Sequence, residues 1–124
     1  PIRTLFVHYL EGLLTLNSYM NNTNTFDNYI LIDPSIWWDK ETMKNKVDSI
    51  TPISLNKKLY IATANQGEAN YEKNKKRHDL LFAIMKEKSN GLLKMKIEYF
   101  EKENHRSVPL IALYEGLKYI NQEQ

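Results

Sequence analysis

The chain has 124 residues and a mass of 14.7 kDa, which fits one compact domain spanning residues 1–124. Hydrophobic residues make up 42% and charged residues 26% of the sequence, so a core can be buried and general disorder is excluded. The net charge is only +2, from 17 Lys and Arg against 15 Asp and Glu, and this balance does not indicate a nucleic-acid partner.

Cysteine, membrane and metal signals are all absent from the sequence. Without cysteine the chain has no disulfide, thiolate metal ligand or Cys nucleophile, and its compartment stays undetermined. The apolar runs are far shorter than the roughly 20 residues that span a bilayer, so we expect a soluble domain with no membrane partner. His8, His78 and His105 fall in separate segments without metal-ligand spacing, and we therefore predict neither a metal site nor a cofactor.

Four short segments rich in β-branched or aromatic residues predict strands. They are Leu5–Val7, Tyr29–Ile32, Leu59–Thr63 and Met95–Phe100. Helical spacing of apolar residues follows the first, third and fourth of them, and a weaker helical segment, Asp39–Val47, follows the second. The predicted inward faces are Leu10, Leu13, Leu14 and Asn17, then Leu80, Leu81, Ile84 and Met85, and then Leu110, Leu113, Leu117 and Ile120. This alternation predicts the α/β class, with about four parallel strands in sequential order and flanking helices.

The candidate site residues lie in loops that follow these strands, because ligands of open α/β sheets lie beyond the carboxyl ends of the strands. His105 lies just after the last strand, in ENHRSVP, where an imidazole is well placed to act as a general base. Glu68 follows the third strand and can orient that imidazole as a carboxylate partner. Each residue is also compatible with an ordinary exposed position in a loop.

The segment DPSIWWD follows the second strand. Ser35 is placed to cap a short helix, and Trp37 and Trp38 can line a pocket or pack in the core. Two adjacent tryptophans do not both face one core from regular structure, so at least one is expected near a cleft or a partner.

Two stretches carry a resemblance to a known family. IDPSIWWD and FEKENHRSVPLIALYEGLKYI closely resemble the Ile-Ser-Pro-Ser-Leu-Trp-Trp and Glu-Asn-His-Gly-Ser-Val-Pro patterns of a serine esterase family of α/β-hydrolases. That family includes siderophore esterases that cleave enterobactin-type trilactones. The resemblance runs from Leu5 to Ile120 and corresponds to the C-terminal half of such an enzyme. It implies that the earlier strands and the oxyanion-hole loop of the family lie outside these 124 residues.

The resemblance also implies roles for individual residues. His105 matches the catalytic histidine, and Glu68 falls in the loop where the acid of the triad is expected. The chain order of nucleophile, acid and histidine is the order found in α/β-hydrolases. The substrate-binding residues implied by the resemblance are His8, Ser35, Trp37 and Trp38.

The nucleophile position departs from the family pattern. The family elbow reads Gly-His-Ser-x-Gly-Gly, whereas this chain reads Val7-His8-Tyr9-Leu10-Glu11-Gly12. Tyr9 therefore stands at the position of the serine, and Val7 and Glu11 replace two of the glycines. A phenol with a pKa near 10 and a large ring is a poor substitute for a serine hydroxyl activated by histidine.

Two functional hypotheses follow, with a third held open. In the first, the domain keeps the esterase fold as a catalytically inactive binding or assembly module. In the second, it is part of an active carboxylic-ester hydrolase that is completed by further sequence or by another chain. The expected ligand is a small ester or siderophore-like molecule, and the expected partner is a second copy of the chain or the missing N-terminal half. A packing domain without a ligand is the third possibility.

Overall fold

The computed structural model of the chain describes residues 2–8, 26–34, 40–48, 57–89 and 93–122. The elements in these ranges are, in chain order, β1 Thr4–His8, β2 Asn28–Ile32, α1 Lys40–Asp48, β3 Lys58–Ala64, α2 Glu68–Ser89, β4 Lys94–Phe100 and α3 Val108–Ile120. The four predicted strands are confirmed, each with one or two more residues than predicted. The helix predicted from Leu10 lies outside the described residues, as do Tyr9, Ser35, Trp37 and Trp38.

The strands form one parallel sheet in the order β1-β2-β3-β4, as predicted. In the register, His8 pairs with Ile32, Ile32 with Ala62, and Ala62 with Glu98. The carboxyl ends of all four strands therefore lie along one edge of the sheet. The residues described at this edge are therefore brought together although they are far apart in sequence.

The sheet is covered on both faces, and alternate residues of each strand point to opposite faces. Tyr29 and Leu31 of β2 belong to the core under α1 and α2, whereas Ile30 and Ile32 belong to the core under α3. Every residue of β2 is buried, as expected for an inner strand of a parallel sheet that is covered on both sides.

Helix α2 has the inward face that the sequence predicts. Leu81 and Met85 are buried, and Leu80 and Ile84 are partly buried against the same core. The helix begins at Glu68, so its amino-terminal half includes the highly charged stretch EKNKKRHD at residues 72–79. Of the helices in the described ranges, none has the length and apolar character to cross a membrane.

Helix α3 confirms part of its predicted inward face: Ile120 is buried and Leu113 is partly buried against the same core, but the predicted Leu110 and Leu117 are exposed. Its buried residues are Val108, Ala112, Gly116 and Ile120, whereas Leu110 is 82% exposed and Leu117 is 41% exposed. The reason is the close approach of the helix to the sheet. A Cβ atom added at Gly116 would lie 3.0 Å from side-chain carbons of both Ile30 and Tyr60, so a row of small residues has to face the strands. Leu110 and Leu117 are left on the outer side.

Candidate active site

Polar residues at or just after the ends of three strands meet at the carboxyl edge of the sheet. His8 is the last residue of β1, Asp33 follows β2 directly, and His105 lies between β4 and α3. The described side chains of these residues are in contact with one another. The sheet therefore assembles a polar cluster from residues that span most of the chain.

The centre of this cluster is a pair formed by His105 and Asp33. The Nδ1 atom of His105 lies 2.6 Å from Oδ2 of Asp33, and the Asp33 side chain is only 1% exposed. A carboxylate accepts hydrogen bonds and donates none, so Nδ1 carries the proton and donates it to Asp33. In the neutral imidazole this leaves Nε2 as the nitrogen able to accept a proton. The pair thus has the geometry of a base oriented by an acid.

The Asp33 carboxylate is held by two further donors. The N–H of Ala64 donates to Oδ1 over 3.3 Å, and Nε2 of Gln66 donates to Oδ2 over 2.5 Å. The N–H of Asp33 itself donates to the carbonyl of Ala62 over 2.7 Å. Asp33 has a φ of +47°, a left-handed conformation that side-chain-bearing residues adopt infrequently and Asp tolerates better than most. These contacts hold the backbone in that conformation and aim the carboxylate at His105.

The resemblance implies Glu68 as the acid partner of His105, whereas the carboxylate that lies on Nδ1 of His105 in the structure is that of Asp33. Glu68 is the first residue of α2 and is exposed, and it lines a neighbouring depression together with Lys75 and Glu101. Because the helix starts one residue after Gly67, Glu68 belongs to its first turn, where a carboxylate interacts favourably with the helix dipole. The acid that pairs with His105 comes instead from the loop after β2.

The sequence contained a signal for Asp33 that the prediction did not use. The family pattern has serine at this position, whereas IDPSIWWD has an aspartate directly after a fully buried strand. A carboxylate in that place cannot be solvated as an ordinary loop acid is, and it therefore needs donors from neighbouring loops. The contact of Gln66 with Asp33 joins the loops after β3 and β2, so it depends on the pairing of these strands in the sheet.

His8 lies in the cluster beside His105. Its ring stacks on that of His105 with a centroid separation of 4.5 Å and an interplanar angle of 28°. Its Nε2 donates to the backbone carbonyl of His105 over 3.0 Å, because a carbonyl can only accept. His8 thus contacts both the ring and the main chain of His105.

The loop that carries His105 is ordered by local hydrogen bonds. Oδ1 of Asn104 accepts the N–H groups of Arg106 and Ser107 over 2.8 and 3.0 Å, and the Ser107 hydroxyl accepts the N–H of Asn104 over 2.9 Å. The N–H of Asn65 reaches across from the end of β3 to the carbonyl of Glu103 over 2.8 Å. These bonds place His105 on a short, well-connected segment just before α3.

A depression of about 380 Å³ opens beside the imidazole. It is lined by Asn65, Gln66, Gly67, Asn104, His105 and Arg106. Its surface is formed by both polar and apolar atoms of these residues, next to the His105 imidazole. Within the ranges that the structure describes, no group of three or more His, Asp or Glu side chains is placed to hold a metal ion.

Fold and site together define an α/β domain with a histidine–carboxylate pair at the carboxyl edge of a parallel sheet. Two solved structures are similar to it. An IroE-like serine hydrolase from Shewanella oneidensis matches with a TM-score of 0.67 and 22% identity, over 95% of this chain and 39% of that one. The BES protein from Bacillus cereus matches with a TM-score of 0.67 and 26% identity, over 97% of this chain and 46% of that one.

These similarities establish the fold. This chain spans less than half the length of both proteins, which is consistent with the expected C-terminal half of a hydrolase. No protein-family model matches the chain, and no curated protein matches its sequence.

Proposed function

We propose that this chain is an esterase-like α/β domain that binds a small ester or siderophore-like ligand and does not hydrolyse it by serine chemistry. One observation carries the proposal: the His105–Asp33 pair has the geometry of a catalytic base and its acid, yet the residue at the nucleophile position is a tyrosine. The chain therefore combines an ordered polar site with an elbow unsuited to nucleophilic attack.

The expected nucleophile position, Tyr9, directly follows the last residue of β1. β1 ends at His8, and the family pattern places the nucleophile immediately afterwards, at Tyr9. The strained turn of a nucleophile elbow requires small residues around the nucleophile, and Val7 and Glu11 replace two of the glycines of the pattern. Tyr9 therefore offers a phenol in place of the aliphatic hydroxyl of serine, in a sequence that lacks two glycines of the elbow pattern.

The ligand class is supported by the site and by one of the similar proteins. The depression beside His105 is small and is formed by both polar and apolar atoms, and the similar protein from Shewanella oneidensis is an IroE-like serine hydrolase. The hydrogen bond from Nδ1–H of His105 to Asp33 fixes the tautomer in which Nε2 is the acceptor nitrogen of the neutral ring, which suits a hydroxyl or ester ligand.

The test is an esterase assay with p-nitrophenyl acetate and butyrate on the chain and on His105→Ala. Loss of a triad member costs on the order of 10⁴ to 10⁶ in turnover, so we expect equal rates for both proteins and no labelling by a fluorophosphonate probe. Turnover that disappears in His105→Ala would contradict the proposal, and Tyr9→Phe would then test the phenol as nucleophile. Val7→Gly, Tyr9→Ser and Glu11→Gly together should not restore activity, because the family places an oxyanion donor in an earlier loop.

A second candidate function is that of a segment of an active carboxylic-ester hydrolase. It is favoured by the complete His105–Asp33 pair and by the match to 39% and 46% of the two similar chains. Further sequence or another chain would then supply both the nucleophile and the oxyanion donors. Fluorophosphonate labelling of the natural full-length protein, lost on replacement of a serine outside these residues, would decide for this candidate.

A further inference from the structure

His78 is a buried histidine that neither functional hypothesis assigns to the site. It lies in α2, is 1% exposed, and makes hydrogen bonds with both ring nitrogens. Nε2 lies 2.9 Å from the carbonyl oxygen of Pro34, and Nδ1 lies 2.5 Å from Oγ1 of Thr63. The ring thus bridges the loop after β2 and the carboxyl end of β3.

The partners of His78 determine its protonation. The Pro34 carbonyl only accepts, so Nε2 must carry a proton. Burial lowers the pKa of His78, which favours the neutral ring. In the neutral ring Nδ1 is an acceptor, and the Thr63 hydroxyl therefore donates to it. The Thr63 hydroxyl thus donates to Nδ1 of His78, and Nε2 of His78 donates to the Pro34 carbonyl.

Pro34, which accepts the hydrogen bond from His78, directly follows Asp33, the residue whose carboxylate pairs with His105. Pro34 has no N–H group, so its carbonyl is the only main-chain group through which it can form a conventional hydrogen bond. Asp33 is anchored on its other side by its own N–H, which donates to Ala62. The Asp33–Pro34 turn, with its positive φ, is thus held between β3 and α2. Movement of the Pro34 carbonyl would rotate the Asp33 carboxylate relative to His105.

We propose that His78 is a positioning residue: by donating to the Pro34 carbonyl, it holds the Asp33–Pro34 turn so that Asp33 keeps the His105 ring in its Nδ1-protonated form. This inference rests on the proposed function only in taking His105 and Asp33 as the functional centre. It concerns the order of the site and does not depend on whether the site hydrolyses esters.

The experiment uses ¹⁵N-labelled chain and long-range ¹H–¹⁵N correlation spectra, which distinguish the tautomers of the three histidines. In the unsubstituted chain near neutral pH we expect a neutral His78 protonated on Nε2 and a low-field Nδ1–H signal from His105. His78→Leu removes the donor to Pro34. We expect at least about tenfold faster solvent exchange of the His105 Nδ1–H, or its loss, with an unchanged far-ultraviolet spectrum.

Two matched variants separate positioning from simple loss of packing. His78→Gln retains an amide donor that can reach the Pro34 carbonyl, and we expect it to restore the His105 signal to within about twofold of the original exchange rate. Thr63→Val removes the hydroxyl at nearly constant volume and leaves the Pro34 contact, so we expect the His105 signal to be retained.

The proposal is tested whether or not the His78→Leu variant folds. A folded His78→Leu variant with an unchanged His105 signal overturns the proposal, as does a His78 ring protonated on Nδ1 alone in the unsubstituted chain. If His78→Leu does not fold, loss of the His105 signal in folded His78→Gln overturns it instead, and retention supports it. Ester turnover by the unsubstituted chain would overturn the proposed function and leave this result intact.

Discussion

Replacing Asp33 by Asn changes one oxygen of the carboxylate to an amide NH₂ and leaves the shape of the side chain almost unaltered. In the structure both oxygens of Asp33 are acceptors: Oδ1 accepts from Ala64, and Oδ2 accepts from Gln66 and from His105. Asn has a single acceptor oxygen. Whichever way the amide is turned, its NH₂ group faces at least one other donor.

The lower-cost orientation follows from the distances. Turning the NH₂ toward Ala64 sacrifices the 3.3 Å contact and keeps the contacts of 2.5 and 2.6 Å with Gln66 and His105. A buried N–H left without an acceptor costs about 1–3 kcal/mol, and the two retained bonds also lose their charge. Removal of a buried charge offsets part of this cost. We expect Asp33→Asn to lower the free energy of unfolding by about 1–3 kcal/mol.

The assay is urea denaturation followed by circular dichroism, with Asp48→Asn as the matched control. Asp48 is exposed, with its side chain at 55% exposure and 4.0 Å from Lys88, and its substitution should change stability by less than about 0.5 kcal/mol. Equal midpoints and slopes for the two variants would refute the inference that Asp33 is a buried acceptor of several hydrogen bonds.

Three further predictions concern packing, pH and association. Gly116→Val should destabilise the fold by about 1–3 kcal/mol through overpacking, whereas Leu110→Ala should stay within about 0.5 kcal/mol in the same denaturation assay; the reverse order would contradict the orientation of α3. Burial lowers the pKa of His78 in the folded chain. As the pH falls below about 6.5, His78 is therefore protonated in the unfolded chain before it is protonated in the folded chain. Stability should therefore decrease from that pH downward by up to about 1.4 kcal/mol per pH unit, and a His78→Gln variant with the same pH dependence would contradict this. The outer face of α3 exposes Leu110 and Tyr114, and we expect self-association in light scattering at micromolar concentration that Tyr114→Glu weakens; a monomeric unsubstituted chain would count against it.

The strands were predictable because their signal is local. Segments such as Tyr29–Ile32 and Leu59–Thr63 are short apolar runs bounded by polar residues, and their order along the chain, with helical segments between them, indicates a parallel sheet. The fold class and the strand order followed from this, and the structure confirms both. The place of His105 after the last strand was also visible from the sequence.

Hydrophobicity predicts the inward face of α3 only in part: Leu113 and Ile120 pack against the core, whereas Leu110 and Leu117 do not. Periodicity favours the row of leucines that includes Leu110 and Leu117, because these residues are the most apolar on the helix. The distance between helix and sheet decides instead, and it is short enough that Gly116 must face Ile30 and Tyr60. That distance is a property of the packed layers.

The identity of the carboxylate that pairs with His105 also depends on the tertiary structure. The resemblance implies Glu68 as the acid, because it follows the third predicted strand, and it assigns no such role to Asp33, which follows the second. The start of α2 places Glu68 on an exposed helical turn, and the positive φ of Asp33 turns a buried carboxylate toward His105. By itself the sequence determined which segments form the sheet and which loops carry polar groups, because those properties depend on neighbouring residues. Only the tertiary structure decided which polar groups meet, because a hydrogen bond between residues 72 positions apart depends on the register of the strands between them.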